Sequence, residues 1–217
     1  ADALGINMAT VATAAACDWI MQNADPRPVV GNLPGGMQGE KWANALDFLH
    51  GRGHHVVAEA TVSRAVLNEQ LRVEARDMHD TWLSMVLAKM HSGGFGASFH
   101  AANGVAALMM ATGQDVAYLT ALTATAVMEA RPNGDLHVSI DIPTLGVGTV
   151  GGGTGLPSFR ACLELMGCHG SGKVNRLAEI IAAVCIAGET STCAAIVSGE
   201  FVAAHERLGR NRPETQV

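Results

Sequence analysis

Apolar residues recur at helical spacing through residues 2–23 (Ile6, Met8, Val11, Ala14, Ala15, Ile20, Met21), and this predicts an opening helix. Residues 23–39 break that pattern with Pro26, Pro28, Gly31, Pro34, Gly35, Gly36 and Gly39, as a loop or domain junction does; Val29-Val30 within it reads as a strand end. A second helix is predicted over 40–50, stopped by Gly51-Arg52-Gly53. Residues 55–62 carry the β-branched content of a strand. Ser63 then caps a long predicted helix reaching His91, with Val66, Leu67, Leu71, Val73, Met78, Trp82, Met85 and Val86 as its apolar positions. Past a glycine-rich break at 92–96, residues 99–112 form an alanine-rich helix suited to close packing. The runs 118–131 and 135–142 flank Pro132-Asn133-Gly134, and Asn-Gly in that setting predicts a hairpin. Helical patterns return over 157–165 and 175–208, with Gly188 as a point where the second would break or kink. The tail from Gly209 is polar and is expected to be mobile.

This order predicts an α+β fold in which long apolar helices pack around a mixed, largely antiparallel sheet, rather than a doubly wound parallel sheet. At 217 residues, 48% apolar, the chain can bury a substantial core. The uncharged run Ile180–Ala187 reads as a buried helix, too short to span a bilayer. No secretory signal is visible, so the segment is expected to be soluble and on the cytoplasmic side, with any membrane anchor upstream of Ala1. Because the chain opens at Ala1 directly in a motif-like stretch, it is expected to be a piece of a longer or processed chain. The net charge is −6 and only 4% of residues are aromatic, so nucleic-acid binding is excluded as a leading reading. Cys17, Cys162, Cys168, Cys185 and Cys193 show no Cys-x-x-Cys pair and are expected to be free thiols in a reducing compartment. The nine histidines form no zinc pattern, and no Gly-x-Ser-x-Gly elbow occurs.

The run from Gly148 to Gly155 stands between a predicted strand and a predicted helix. The run reads either as a flexible loop or as a backbone that lets a ligand approach, with N–H groups near a helix start suited to an anion. The run does not fit the Gly-x-Gly-x-x-Gly dinucleotide fingerprint. Lys41 follows the Pro/Gly loop; it reads either as a solvated charge or as a cation presented to a developing oxyanion. Asp115 follows the alanine-rich helix and reads either as an N-cap or as a functional acid. His205 lies near the end of the last helix, where a cationic imidazole is favoured; taken alone it reads as a surface histidine. His100 and Asn103 place two hydrogen-bonding side chains in one helical turn, which reads either as a capped helix start or as a pair facing a ligand.

Taken together, these stretches resemble the C-terminal portion of 3-hydroxy-3-methylglutaryl-coenzyme A reductase, class I-like. The resemblance rests on Asp2-Ala3-Leu4-Gly5-Ile6-Asn7-Met8, Gly51-Arg52-Gly53, Val57-Ala58-Glu59-Ala60 and His100-Ala101-Ala102-Asn103. It also takes in Thr112-Gly113-Gln114-Asp115, Val127-Met128-Glu129-Ala130, Gly148 to Thr154, Ala187-Gly188-Glu189 and His205. It implies four-electron reduction of a coenzyme A thioester to mevalonate with two NADPH. It further implies catalytic roles for Lys41, Asp115 and His205, cofactor binding by Asp2, Gly5, Asn7, Met8, Gly148, Thr149, Gly151, Gly152, Gly153 and Thr154, and substrate binding by His100 and Asn103. No metal is implied. Residues 1–30 would close a small cofactor-binding domain, 31–42 form a catalytic junction, 43–208 a large substrate domain and 209–217 a tail. A homodimer, or a higher oligomer, with its active site between subunits is implied as well. The chain departs from the family pattern where Trp42 and Leu83 stand in place of lysines, and the family's Glu-Asn-Val-Ile-Gly stretch does not occur in it. Those departures keep two other readings in view: a non-catalytic binding subunit, and a reductase of a different acyl-coenzyme A.

Overall fold

The computed structural model describes residues 1–31, 33 and 41–209. Three antiparallel strands, β1 (His54–Val62), β2 (Thr125–Ala130) and β3 (Leu136–Leu145), form a sheet of order β1-β3-β2. Register pairs Val57 with Asp141 and Ala126 with Ile140. Ala97 adds a single parallel bridge to Thr125. Alternation sorts the faces: Leu136, Val138, Ile140 and Ile142 point to the core, while His137 and Asp141 point outward and meet Glu59 and His55 on β1 at 3.6 and 2.6 Å.

The inner face is covered chiefly by α7 (Val174–Val197) and α4 (Ala75–His91). Along α7 the buried positions Val174, Leu177, Ala178, Ile181, Ala182, Cys185, Ile186, Cys193 and Ala194 recur at helical spacing. Each fully buried Leu or Ile here contributes roughly 1.5–3 kcal/mol relative to exposure. By length and composition α7 would suffice to cross a membrane; its buried stripe instead packs on β1, β3, α4 and α5 (Ala101–Ala111). The fold class is α+β, as the alternation of patterns predicts.

Several boundaries differ from the pattern-based reading. The opening helix, α1, spans Ile6–Asn23, starts later than residue 2, and buries none of its residues. Val29 and Val30 are exposed and lie in no strand. The second helix shrinks to α2 (Ala45–His50), because the Asn44 side chain accepts from Asp47 N and caps it there; Glu40 lies outside the described residues. The long helix predicted from Ser63 is interrupted. Ser63 caps only a short turn, α3 (Arg64–Val66), which passes into a π turn over Leu67–Leu71 and ends at Arg72 in the left-handed conformation (φ 58°). The run 118–131 is not one strand, since Val116–Ala121 form a 3-10 turn. Helix α6 spans Pro157–Leu165 as predicted. Gly188 does not break α7. The break comes at Ser198-Gly199, before α8 (Glu200–Leu208). Of the tail, only Gly209 lies within the described residues.

Candidate active site

A cleft of about 420 Å³ opens between the start of α1 and the glycine run. Gly5, Asn7 and Met8 line one wall; Gly148, Gly151, Gly152, Gly153 and Thr154 line the other, with Gln114, Asp115 and Tyr118 at the side. Gly5 enters α1 in the left-handed conformation and no side chain caps the helix. Ile6, Asn7 and Met8, the first residues of this 18-residue helix, line the cleft, and an uncapped helix start suits an anionic group. Gly153 has a packing reason to be glycine: a Cβ there would lie 2.7 Å from Gly113 O. Gly151 and Gly152 hold positive φ and have open space where a side chain would stand. Cradle and helix start together suit an anionic group.

The predicted cofactor residues divide by what they touch. Asp2 is a tie rather than a wall. Its carbonyl accepts from Thr149 N (2.8 Å) and Val150 N (3.2 Å), and its carboxylate accepts from Gly172 N and Val174 N at the head of α7. Those N–H groups, Gly172 first, hold the carboxyl below the usual carboxylate range. The Thr149 hydroxyl is buried and donates to Gly170 O; that of Thr154 donates to Gly151 O. Both hydroxyls thus brace the loop.

Lys41 and Asp115 meet across 74 residues of sequence, Nζ to Oδ2 at 2.6 Å, each a little under half exposed. Asp115 also caps the 3-10 turn, its Oδ1 accepting from Ala117 N at 3.0 Å. One carboxylate thus serves as the cap of that turn and as the partner of Lys41. The Lys41 hydrogen bond is the main cause that holds its carboxyl below the usual range.

His205 does not line the cleft; it sits on α8, which packs on α7. Its Nδ1 lies 2.7 Å from Phe201 O and its ring 4.3 Å from that of Phe201. A carbonyl can only accept, so Nδ1 carries the proton in that contact. Arg72 pairs with Glu200 and ties α8 to the π turn. His100 and Asn103 also lie away from the cleft lining. The His100 ring packs on Gly188, where a Cβ would come 1.9 Å from Nδ1, and Asn103 is exposed on α5.

Three contributors escape a reading of residue types alone. Gln114 grips the glycine run in both directions, accepting from Gly148 N and donating to Gly148 O, each at 2.8 Å. It lies within the Thr112–Asp115 stretch, so that stretch was a signal to its neighbourhood but not to its role. Glu189 is fully buried and accepts from the N–H groups of Phe99, His100 and Ala101 at 2.7–2.9 Å, capping α5. Tyr118, buried at 4% exposure, lies beside Lys41 and Arg52. Among the described residues no cluster of histidine, cysteine and carboxylates could hold a metal.

The structure is thus an α+β body with a glycine-walled cleft and a lysine–carboxylate pair at its side. The family model for hydroxymethylglutaryl-coenzyme A reductase matches residues 1–210, and the chain belongs to that family. It is similar to the 3-hydroxy-3-methylglutaryl-coenzyme A reductase of Haloferax volcanii, with 40% identity over 96% of this chain and 53% of that protein. The Pyrococcus horikoshii reductase is 37% identical over 96% of this chain and 52% of its own length. Reductase 2 of Arabidopsis thaliana is 35% identical over 100% of this chain and 40% of its own. The chain thus spans about half the length of the archaeal relatives it matches.

Proposed function

We propose that the full-length protein reduces the thioester of 3-hydroxy-3-methylglutaryl-coenzyme A to mevalonate and free coenzyme A, with two NADPH consumed per thioester. The Lys41–Asp115 pair beside the glycine cleft carries this reading, together with membership of the family. When bound in the cleft, the dinucleotide would supply hydride. Gly5, Asn7 and Met8 on one wall and the 148–154 run on the other would hold it, with Asp2 fixing that run in place.

The remaining chemistry belongs to this chain's side chains. Hydride addition turns the thioester carbonyl into an oxyanion, and the Lys41 ammonium would stabilise that charge more in the transition state than in the ground state. Asp115 keeps the ammonium charged and aimed, since an opposite charge at hydrogen-bond distance favours the ionised form. His205, through Nε2, would give a proton to the departing coenzyme A thiolate. His100 and Asn103 would serve the substrate side. We infer a dimer or higher oligomer with the site between subunits, which would bring His205 and the substrate residues to a shared centre.

A second reading, reduction of an acyl-coenzyme A without a distal carboxylate, is favoured by Trp42 and Leu83. Both are more than 40% exposed apolar side chains where the family resemblance places lysines. A panel of acyl-coenzyme A thioesters, compared by kcat/KM in the full-length protein, separates the two. The hydroxymethylglutaryl thioester is expected to lead. A lead of tenfold or more, roughly 1.4 kcal/mol of transition-state binding, for a neutral acyl chain would favour the second reading.

A further inference from the structure

We propose that Tyr118 is a positioning residue of the Lys41 site: its ring holds the Lys41 ammonium from one side while the Asp115 carboxylate holds it from the other. This rests on the reading of Lys41 as the group that stabilises the oxyanion. Lys41 Nζ lies 5.8 Å from the Tyr118 ring centroid, and Arg52 Cζ lies 6.0 Å from the same centroid. A cation within about 6 Å of an aromatic face is attracted by its quadrupole, more strongly as the pair is desolvated. The Tyr118 ring is itself buried, so the face it offers is fixed rather than mobile.

The two holders are one unit. Asp115 caps the 3-10 turn that carries Tyr118, and Tyr118 N donates to Asp115 O at 3.0 Å. A single short turn therefore presents an anion and a π face to a lysine that arrives from 74 residues away. The fold makes room for the ring at Gly146, where a Cβ would stand 2.7 Å from Tyr118 Cδ1. The ring also lines the cleft between α1 and the glycine run. The ammonium is thus set at the edge of that cleft from two directions, and Arg52, on the same ring, adds a second positive charge nearby.

The test uses the full-length protein with phenylalanine at 118, then phenylalanines carrying one, two and three ring fluorines, which weaken the quadrupole at nearly constant volume. Two quantities are read: kcat, and the rate at which trinitrobenzenesulfonate labels Lys41, followed by peptide mass. Tyr118→Phe, which keeps the ring and its face, is the reference against which the series is read. Along the fluorine series Lys41 labelling should rise, and kcat fall, by about 3- to 10-fold in total, with the dinucleotide KM unchanged. A ring that merely fills space would leave both flat, and flat labelling across the series overturns the proposal. The labelling arm reads the contact even in a protein that turns over no thioester. Absence of turnover in the parent with graded labelling therefore refutes the reductase reading alone.

Discussion

The Lys41–Asp115 contact couples the candidate site to pH. The carboxyl of Asp115 titrates below its unfolded value, about 3.9. A depressed carboxylate contributes stability above the unfolded pKa, and that contribution fades as pH falls through the folded one. Both partners are over 40% exposed, so the contribution is about 1 kcal/mol or less and shrinks with salt. Carbon-13 NMR of the Asp115 carboxyl should show its low midpoint, and Lys41→Ala should raise that midpoint; no movement would break the assignment of cause. The cysteines make an independent prediction. Burial pushes the Cys185 and Cys193 thiols up to about 12, whereas Cys17 and Cys162 are partly exposed. Native-state alkylation at pH 8 should mark Cys17 and Cys162 and spare Cys185 and Cys193 until the protein unfolds. The residue types at the site were legible in the chain, as Lys41 and Asp115 each stood out by setting. Their contact was not, because pairing across 74 residues depends on tertiary packing and not on local pattern.

At the scale of elements, α5 and α7 are joined by two adjacent residues that act differently. Gly188 lets α7 approach the His100 ring, and Glu189 caps α5 through three N–H groups. Gly188→Ala, usually a gain in an exposed helix, should here destabilise by roughly 1–3 kcal/mol because the added methyl meets an imidazole that is already packed. Glu189→Gln should cost about 1.5–3 kcal/mol by weakening charge-assisted bonds to buried N–H groups. Urea denaturation of each variant measures both, and a stabilised Gly188→Ala would overturn the packing account. Pattern reading marked Gly188 as a point of break or kink, since a glycine in a helix looks the same whether it interrupts the helix or admits a neighbour. The long helix expected over 63–91 failed for a related reason. Apolar spacing continues through Leu67, Leu71 and Val73, but it carries no sign of the left-handed Arg72 that turns the chain. Strands β1 and β3 read well, because alternation directly encodes which face is buried.

For the whole molecule, the α+β class followed from the order of patterns, and the glycine run stood out between a strand and a helix. What joins them is tertiary: Asp2 pinning that run and the head of α7, Gln114 clamping Gly148, and α1 supplying the opposite wall. The central claim is that Lys41 stabilises charge on a thioester carbonyl beside a bound dinucleotide. It is tested most directly by following NADPH oxidation and coenzyme A release together in the folded full-length protein and in its Lys41→Ala variant. The account predicts two NADPH oxidised for each thiol released. It also predicts a kcat lower by about 100-fold or more in the variant, with NADPH affinity retained. Turnover in the variant equal to that of the parent, or a folded parent that consumes no NADPH with the thioester, would contradict it.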